Sequence, residues 1–192
     1  MGVPTLADAE LLLASFELPA GIVTHARGVS LLAAEAARLL EAAAVAVNPH
    51  IVAVAALLHD VDKVETRDHG AEHGLMAARW MAERGFAELS EPIASHPILC
   101  LLDPSRAPRG WASVAVAVAD RRVAQGFVSI DQRIDDLERR YPEVRADLEA
   151  ARAPAHAMQG ELATAAGLSS DELEARLAAV WSAAAPPSAA RP

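Results

Sequence analysis

The stretch from Asn48 to Lys63, NPHIVAVAALLHDVDK, constrains this chain more than any other. Asn48 can cap a helix, and Pro49 suits the first helical position, where the missing N–H is not needed. Nearly every residue from Ile51 to Leu58 is apolar, on all faces of the helix they would form. Such a helix belongs inside a core rather than on its surface. The run ends in His59 and Asp60, followed by Asp62 and Lys63. Burying charged groups costs on the order of several kcal/mol unless they are paired or bound to a metal. An adjacent His and Asp at the end of a buried helix therefore need a partner, and a divalent cation would serve.

The rest of the chain agrees with a helical core. Hydrophobic residues make up 53% of the 192, but aromatics only 4%, with alanine supplying much of the difference. Alanine is the best helix former, so the composition favours packed helices over a sheet. Helices are predicted over about 5–16, with Thr5 as cap, and over 22–44, 48–61, 71–84, 91–96, 130–140, 143–160 and 169–184. Ser169 and Glu172 form a capping box for the last. Residues 65–72 and 103–110 read as loops. Residues 111–125 are ambiguous, because Val114, Val116 and Val118 alternate with alanine at the period of a strand. Helix is favoured there by alanine and by the lack of a second strand to pair with. The expected organisation is an all-α unit over 1–125, a helical extension over 126–184 packed on it, and a disordered tail over 185–192.

Cys100 is the one cysteine, which excludes an internal disulfide and a cysteine-built zinc site. Residues 1–20 lack the basic start and long apolar run of a signal peptide. His59 and Asp60 interrupt the best candidate for a membrane span, which needs roughly 18–20 apolar residues. A soluble cytoplasmic protein is expected. The net charge of −9 argues against binding a nucleic-acid backbone. It leaves room for a small phosphorylated ligand, since a bound metal can invert the local field.

Six of the seven histidines fall within residues 25 to 96. Asp120 follows the apolar run AVAVA, in a helix that should be buried. His25, His59, Asp60 and Asp120 come from three separate helices, which is how helical bundles assemble metal sites from inward-facing side chains.

The order His…His-Asp…Asp, with LLHDVDK ending an apolar helix, resembles the HD-domain metal-dependent phosphohydrolases over about residues 18–130. His25 before a long helix, His73 opening HGLMAARWM, His96, and Asp120 within ADRRV add to the resemblance. The residue pair around His96 is Ser95 and Pro97, where many two-metal members carry a second histidine. The resemblance implies an HD-domain helical bundle in which His25, His59, Asp60 and Asp120 hold one metal. It implies a second metal on His73 and His96, with Asp60 bridging. The implied cofactor is one or two divalent transition metals, with iron, manganese, cobalt or nickel suiting the mixed set better than magnesium alone. The implied reaction is hydrolysis of a phosphoester or phosphoanhydride in a small nucleotide-like substrate by metal-activated water. Lys63 and Arg121 or Arg122 are placed to reach a phosphate, and Asp62 to accept or relay a proton. The alternative is an HD-fold regulatory module that binds metal or nucleotide without turnover. A homodimer through 126–184 is left open.

Elsewhere the ordinary reading stands. His50 and His156 are taken as satisfied polar residues, and His69 as a loop histidine near the site. Trp80, Trp111 and Trp181 are taken as packing residues. The charged stretch DQRIDDLERR is taken as a solvated helix face, with no role assigned to Arg133.

Overall fold

Capping and apolar pattern set the helices in the order the sequence suggests. A computed structural model describes residues 2–67 and 72–184. Thr5 accepts a hydrogen bond from the Asp8 amide at 3.1 Å and opens α1 (Leu6–Ser15). After Pro19 comes α2 (Ala20–Ala42), the longest helix. Asn48 Oδ1 accepts from the amides of His50 and Ile51 at 3.0 and 3.3 Å and opens α3 (Pro49–Leu58). Then follow α4 (Leu75–Glu83), α5 (Ser90–Ala94), α6 (Gly110–Asp120), α7 (Ile130–Arg140), α8 (Arg145–Ala165) and α9 (Ser170–Ala184). Short 3₁₀ turns cover Ala87–Leu89, Ile98–Leu102 and Pro142–Val144. Among the described residues there is no strand, only one isolated bridge between Val123 and Phe127.

The protein is thus all-helical, and α3 is its axis. Every residue from Val52 to Leu58 is buried, and α3 packs against α1, α2, α5 and α6. The ambiguous valine-alanine segment is helix α6, with Ser113 to Ala119 buried all round. The main core does not stop at residue 125. Met158, Leu162 and Ala163 of α8 and Leu173 and Leu177 of α9 belong to it. Trp181 of α9 sits so close to Gly28 of α2 that a Cβ there would lie 2.7 Å from its ring. A second apolar cluster joins Ile98 to Ile130 and Ile134 of α7 and to Leu148, Ala151 and Ala155 of α8.

Several boundaries differ from expectation. Helix α3 ends at Leu58 rather than Val61, and residues 59–67 continue as turns. In these turns His59, Asp60, Val61 and Asp62 remain buried, continuing the buried run of α3. Helix α6 stops at Asp120 rather than 125, because the Val128 amide bonds back to the Arg122 carbonyl at 3.0 Å. Helix α8 runs five residues beyond Gly160, which packs near Ser170 rather than ending the helix. Ser169 and Glu172 do form the expected capping box. His69 and the tail 185–192 lie outside the described residues. Among the described residues, no helix is long and apolar enough to cross a membrane.

Candidate metal centre

The end of α3 delivers His59 and Asp60 into the core, and other elements bring four more groups to them. His25 comes from α2, Asp120 from the end of α6, His73 from just before α4, and His96 from just after α5. All six are at least largely buried, and His59 is completely so.

The imidazoles are held by their far nitrogens. His59 Nδ1 lies 2.6 Å from the Ala56 carbonyl, and His96 Nδ1 lies 2.6 Å from the Ile93 carbonyl. Since a carbonyl only accepts, each Nδ1 donates. That assignment leaves Nε2 as the lone-pair nitrogen in a neutral ring. His73 Nδ1 is fixed in the same way by Asp62 Oδ1 at 2.8 Å. A carboxylate or carbonyl behind an imidazole is the arrangement that orients metal-ligating histidines.

The near nitrogens face shared carboxylates. His59, His73 and His96 present Nε2 to Asp60 Oδ1 at 3.5, 3.2 and 3.5 Å. His25 Nε2 lies 3.7 Å from Asp60 Oδ2 and 2.9 Å from Asp120 Oδ1. His59 Nε2 is 3.8 Å from Asp120 Oδ1. Two three-donor groups able to hold a metal ion result: His25, His59 and Asp120, and His59, Asp60 and His96. Asp60 thus falls in the second group, while its Oδ2 faces His25 of the first. His73 completes the second side, with its Nε2 3.2 Å from that of His96.

Electrostatics keep these groups in metal-binding form. Burial pushes His59 down to about 3, and it also lowers His96, so both rings are neutral at pH 7. Burial works against ionisation of Asp60, but Lys63 and His59 outweigh it and hold the carboxyl well below its usual range. For Asp120, burial is likewise outweighed, by the His25 hydrogen bond and Arg133. His73 is lowered by burial but raised on balance by its hydrogen bonds to Asp60 and Asp62. Two carboxylates and neutral imidazoles are the ligand set of a borderline divalent metal. The decisive observation for fit is His59 Nε2, buried with no hydrogen-bond partner in the structure. An orphaned lone pair at the centre of such a cluster is costly unless a cation takes it.

The profile of the family described as HD domain matches residues 22–124, more than half of the 192-residue chain. The chain belongs to the HD-domain family. No curated protein and no solved structure matches it. HD-domain proteins are typically metal-dependent phosphohydrolases, and in this HD domain the matched segment contains all six converging groups.

Around the six, the HD domain arranges charges that the sequence only partly foretold. Lys63 Nζ donates to Asp60 Oδ1 at 3.1 Å and lies 3.2 Å from His73 Nε2. Its burial is outweighed by Asp60 and Asp120, so it is held above its ordinary value and stays charged. Asp62 is not placed for proton traffic with substrate. It is fully buried, and Oδ2 accepts from the Gly74 and Ala77 amides at 2.8 and 3.0 Å, which caps α4. Gly74 has φ of +81°, and a Cβ there would lie 2.9 Å from the Ile93 carbonyl, so only glycine fits this junction. Arg121 is buried, donates to the Ala117 carbonyl one turn back, and is pushed by burial down to about 10. Arg122 turns the other way, donating to Gln159 and Glu174 of α8 and α9. The arginine that faces Asp120 is Arg133, with NH2 at 3.6 Å from Oδ1.

Arg133 corrects the reading of DQRIDDLERR as a solvated face. Asp131 and Asp135 are exposed, but Arg133 is only 8% exposed. A signal for it was present. Ile130, Ile134 and Leu137 mark the apolar stripe of α7, and position 133 falls on that stripe. Asp62 had no comparable signal, because its partners are amides 12 and 15 residues away.

Proposed function

We propose that this HD-domain protein is a metal-dependent phosphohydrolase acting on a small, nucleotide-like phosphoester or phosphoanhydride in the cytoplasm. The reading rests on the convergence of four imidazoles and two carboxylates around the unpartnered His59 Nε2. His25, His59 and Asp120 would hold one divalent transition metal. His73 and His96 would hold a second, with Asp60 between the two. When bound, such a metal supplies Lewis acidity toward phosphoryl oxygens and water acidified from a pKa of about 16 toward about 7.

The chain's own residues do the remaining work. The carbonyls of Ala56 and Ile93 and the carboxylate of Asp62 fix three imidazoles in one tautomer, with Nε2 inward. Lys63, charged and about one-third exposed, sits where it can grip a phosphoryl oxygen. Phosphoryl transfer asks chiefly for such positioning and charge neutralisation.

The test is elemental analysis of protein purified without chelator, beside a His59→Ala, Asp60→Ala double variant, followed by a screen of nucleotide substrates. One or two transition-metal equivalents in the wild type, lost in the variant together with phosphate release, are expected. Metal retained with no turnover of any phosphorylated substrate would instead make the protein a regulatory module. No metal in either sample, even after adding manganese or iron, would sink the hydrolase reading.

A further inference from the structure

Arg133 is the buried charge that the metal centre itself does not explain. It lies on α7, beyond the segment matched by the HD-domain profile. It occupies the apolar stripe beside Ile130 and Ile134, both buried in the second apolar cluster. Its nearest carboxylates are Asp120 at 3.6 Å from NH2 and Asp136 at 3.7 Å from NH1. Both distances exceed a good N–H···O hydrogen bond. Its Nε is buried and has no hydrogen-bond partner. A guanidinium carries five donors in a rigid fork suited to carboxylate or phosphate, and here that fork is nearly unused.

Position gives the unused fork a purpose. Lys63 stands at Asp60, and Arg133 stands at Asp120. The two carboxylates both lie within 4 Å of His25 and His59, so the two cations border the same centre. A divalent ion held there neutralises both carboxylates. Lys63 and Arg133, the latter keeping only Asp136 at 3.7 Å outside the cluster, are then two positive charges facing the centre, which is the complement of a dianion.

We propose that Arg133 is a phosphate-binding residue of this centre, and that with Lys63 it selects a terminal, dianionic phosphate over a monoanionic phosphodiester. The proposal rests on the hydrolase reading for its metal but concerns a residue contributed by the C-terminal helices. It makes those helices part of the substrate site rather than a support for the bundle.

Calorimetric titration of manganese-loaded protein with inorganic phosphate, and separately with dimethyl phosphate, at pH 8 tests it. Metal content and far-UV circular dichroism are measured on every sample. Wild type is expected to bind phosphate about tenfold or more tighter than dimethyl phosphate. Arg133→Gln should keep its metal and helicity but weaken phosphate binding by about tenfold, with dimethyl phosphate little changed. Arg133→Lys should recover part of the loss. Phosphate binding unchanged in metal-loaded Arg133→Gln would overturn the proposal and leave Arg133 as a buried counter-charge. Loss of metal from that variant would overturn it too, since Arg133 would then act by holding Asp120. Should Arg133→Gln fail to fold, Arg133→Lys decides: full metal with wild-type phosphate affinity and selectivity refutes the role. A wild type that takes up no manganese fails one step earlier, and the hydrolase reading falls together with this one.

Discussion

Two sets of buried charge leave the end of α6 in opposite directions. On one side, Arg122 is saturated. Its Nε donates to Gln159 at 2.9 Å, NH1 to the Val128 carbonyl at 3.3 Å and NH2 to Glu174, and its guanidinium lies over the Phe127 ring. On the other side, Asp120 faces a cluster in which His59 Nε2 and Arg133 Nε have no partner. The residues are two apart in sequence, Arg122 fully and Asp120 largely buried, yet one network is closed and the other open. A closed network ties α8 and α9 to the bundle. An open one, with three imidazoles facing one carboxylate oxygen, is organised for a guest. Hydrogen-bond satisfaction separates Arg122 from the cluster, although the neighbouring Arg121, whose Nε and NH2 also lack partners, shows that an open donor by itself does not mark a functional charge.

Substitutions can break this contrast in a graded way. The largest effect should come from the closed side. Arg122→Ala leaves the buried Gln159 without its donor and opens a cavity between α6, α8 and α9; because Glu174 is nearly half exposed, most of the expected loss, about 2–3 kcal/mol, comes from that cavity and the lost hydrogen bonds. Denaturant unfolding reads the loss, while metal content of the folded protein stays at the wild-type level. A variant that unfolds normally but loses metal would erase the distinction drawn between the two sides.

A smaller effect is expected from Asp62→Asn on the open side. It keeps an oxygen for the Gly74 or Ala77 amide but no longer supplies a charge behind His73. Metal affinity should fall by about 10–100-fold at the His73 side, as for other supporting carboxylates. Competition with a metal-sensitive chelating dye measures it, and an unchanged affinity would mean that His73 is no ligand.

The smallest effect is that of pH on metal-free protein. His59 and His96 are lowered by burial. Their contribution is complete above the unfolded value of about 6.5 and is lost as pH falls below it. His73, raised on balance, contributes in the opposite sense, with stability lost as pH rises through its folded value. The carboxylates of Asp60, Asp62 and Asp120 are lowered, so their contribution fades only at more acid pH. Two histidines outweigh one, and the melting temperature should drop by roughly 5 °C between pH 7 and pH 5. Bound metal should remove most of that slope above pH 6 by keeping the histidines deprotonated. A metal-free melting curve that rises toward pH 5 would show that the His73 pair dominates.

Much of this protein was legible in the chain before any coordinates. An apolar helix ending in His-Asp is a pattern that burial alone makes significant, and Asp120 after AVAVA is the same pattern repeated. Caps at Thr5, Asn48 and Ser169 are local chemistry, decided within three residues, and they stand where expected. Helix ends were less legible: at Asp120 and Ala165 the stop is a backbone turn a few residues further on, Val128 back to the Arg122 carbonyl and Leu168 back to the Ala163 carbonyl with Gly167 at positive φ, and apolar periodicity does not register such turns. The arginine that faces Asp120 is the clearest case. ADRRV offered two arginines beside the aspartate, but Arg121 folds back on the Ala117 carbonyl and Arg122 runs to Gln159.

By itself, then, the sequence determined an all-helical bundle, its central buried helix and the six residues that meet at the end of it. The bundle, its central helix and His25, His59, Asp60 and Asp120 follow from local propensity or from the energetic penalty of burying a charge without a partner, while His73 and His96 followed from the resemblance to the HD-domain family. Only the tertiary structure decided which histidine nitrogen faces inward, that Asp62 supports His73, and that an arginine from α7 reaches Asp120. Those outcomes depend on the packing of elements from 11 to 95 residues apart, such as Asp62 with His73 and Ala77, Arg133 with Asp120, and His25 with Asp120. No local rule of helix formation carries information over that distance.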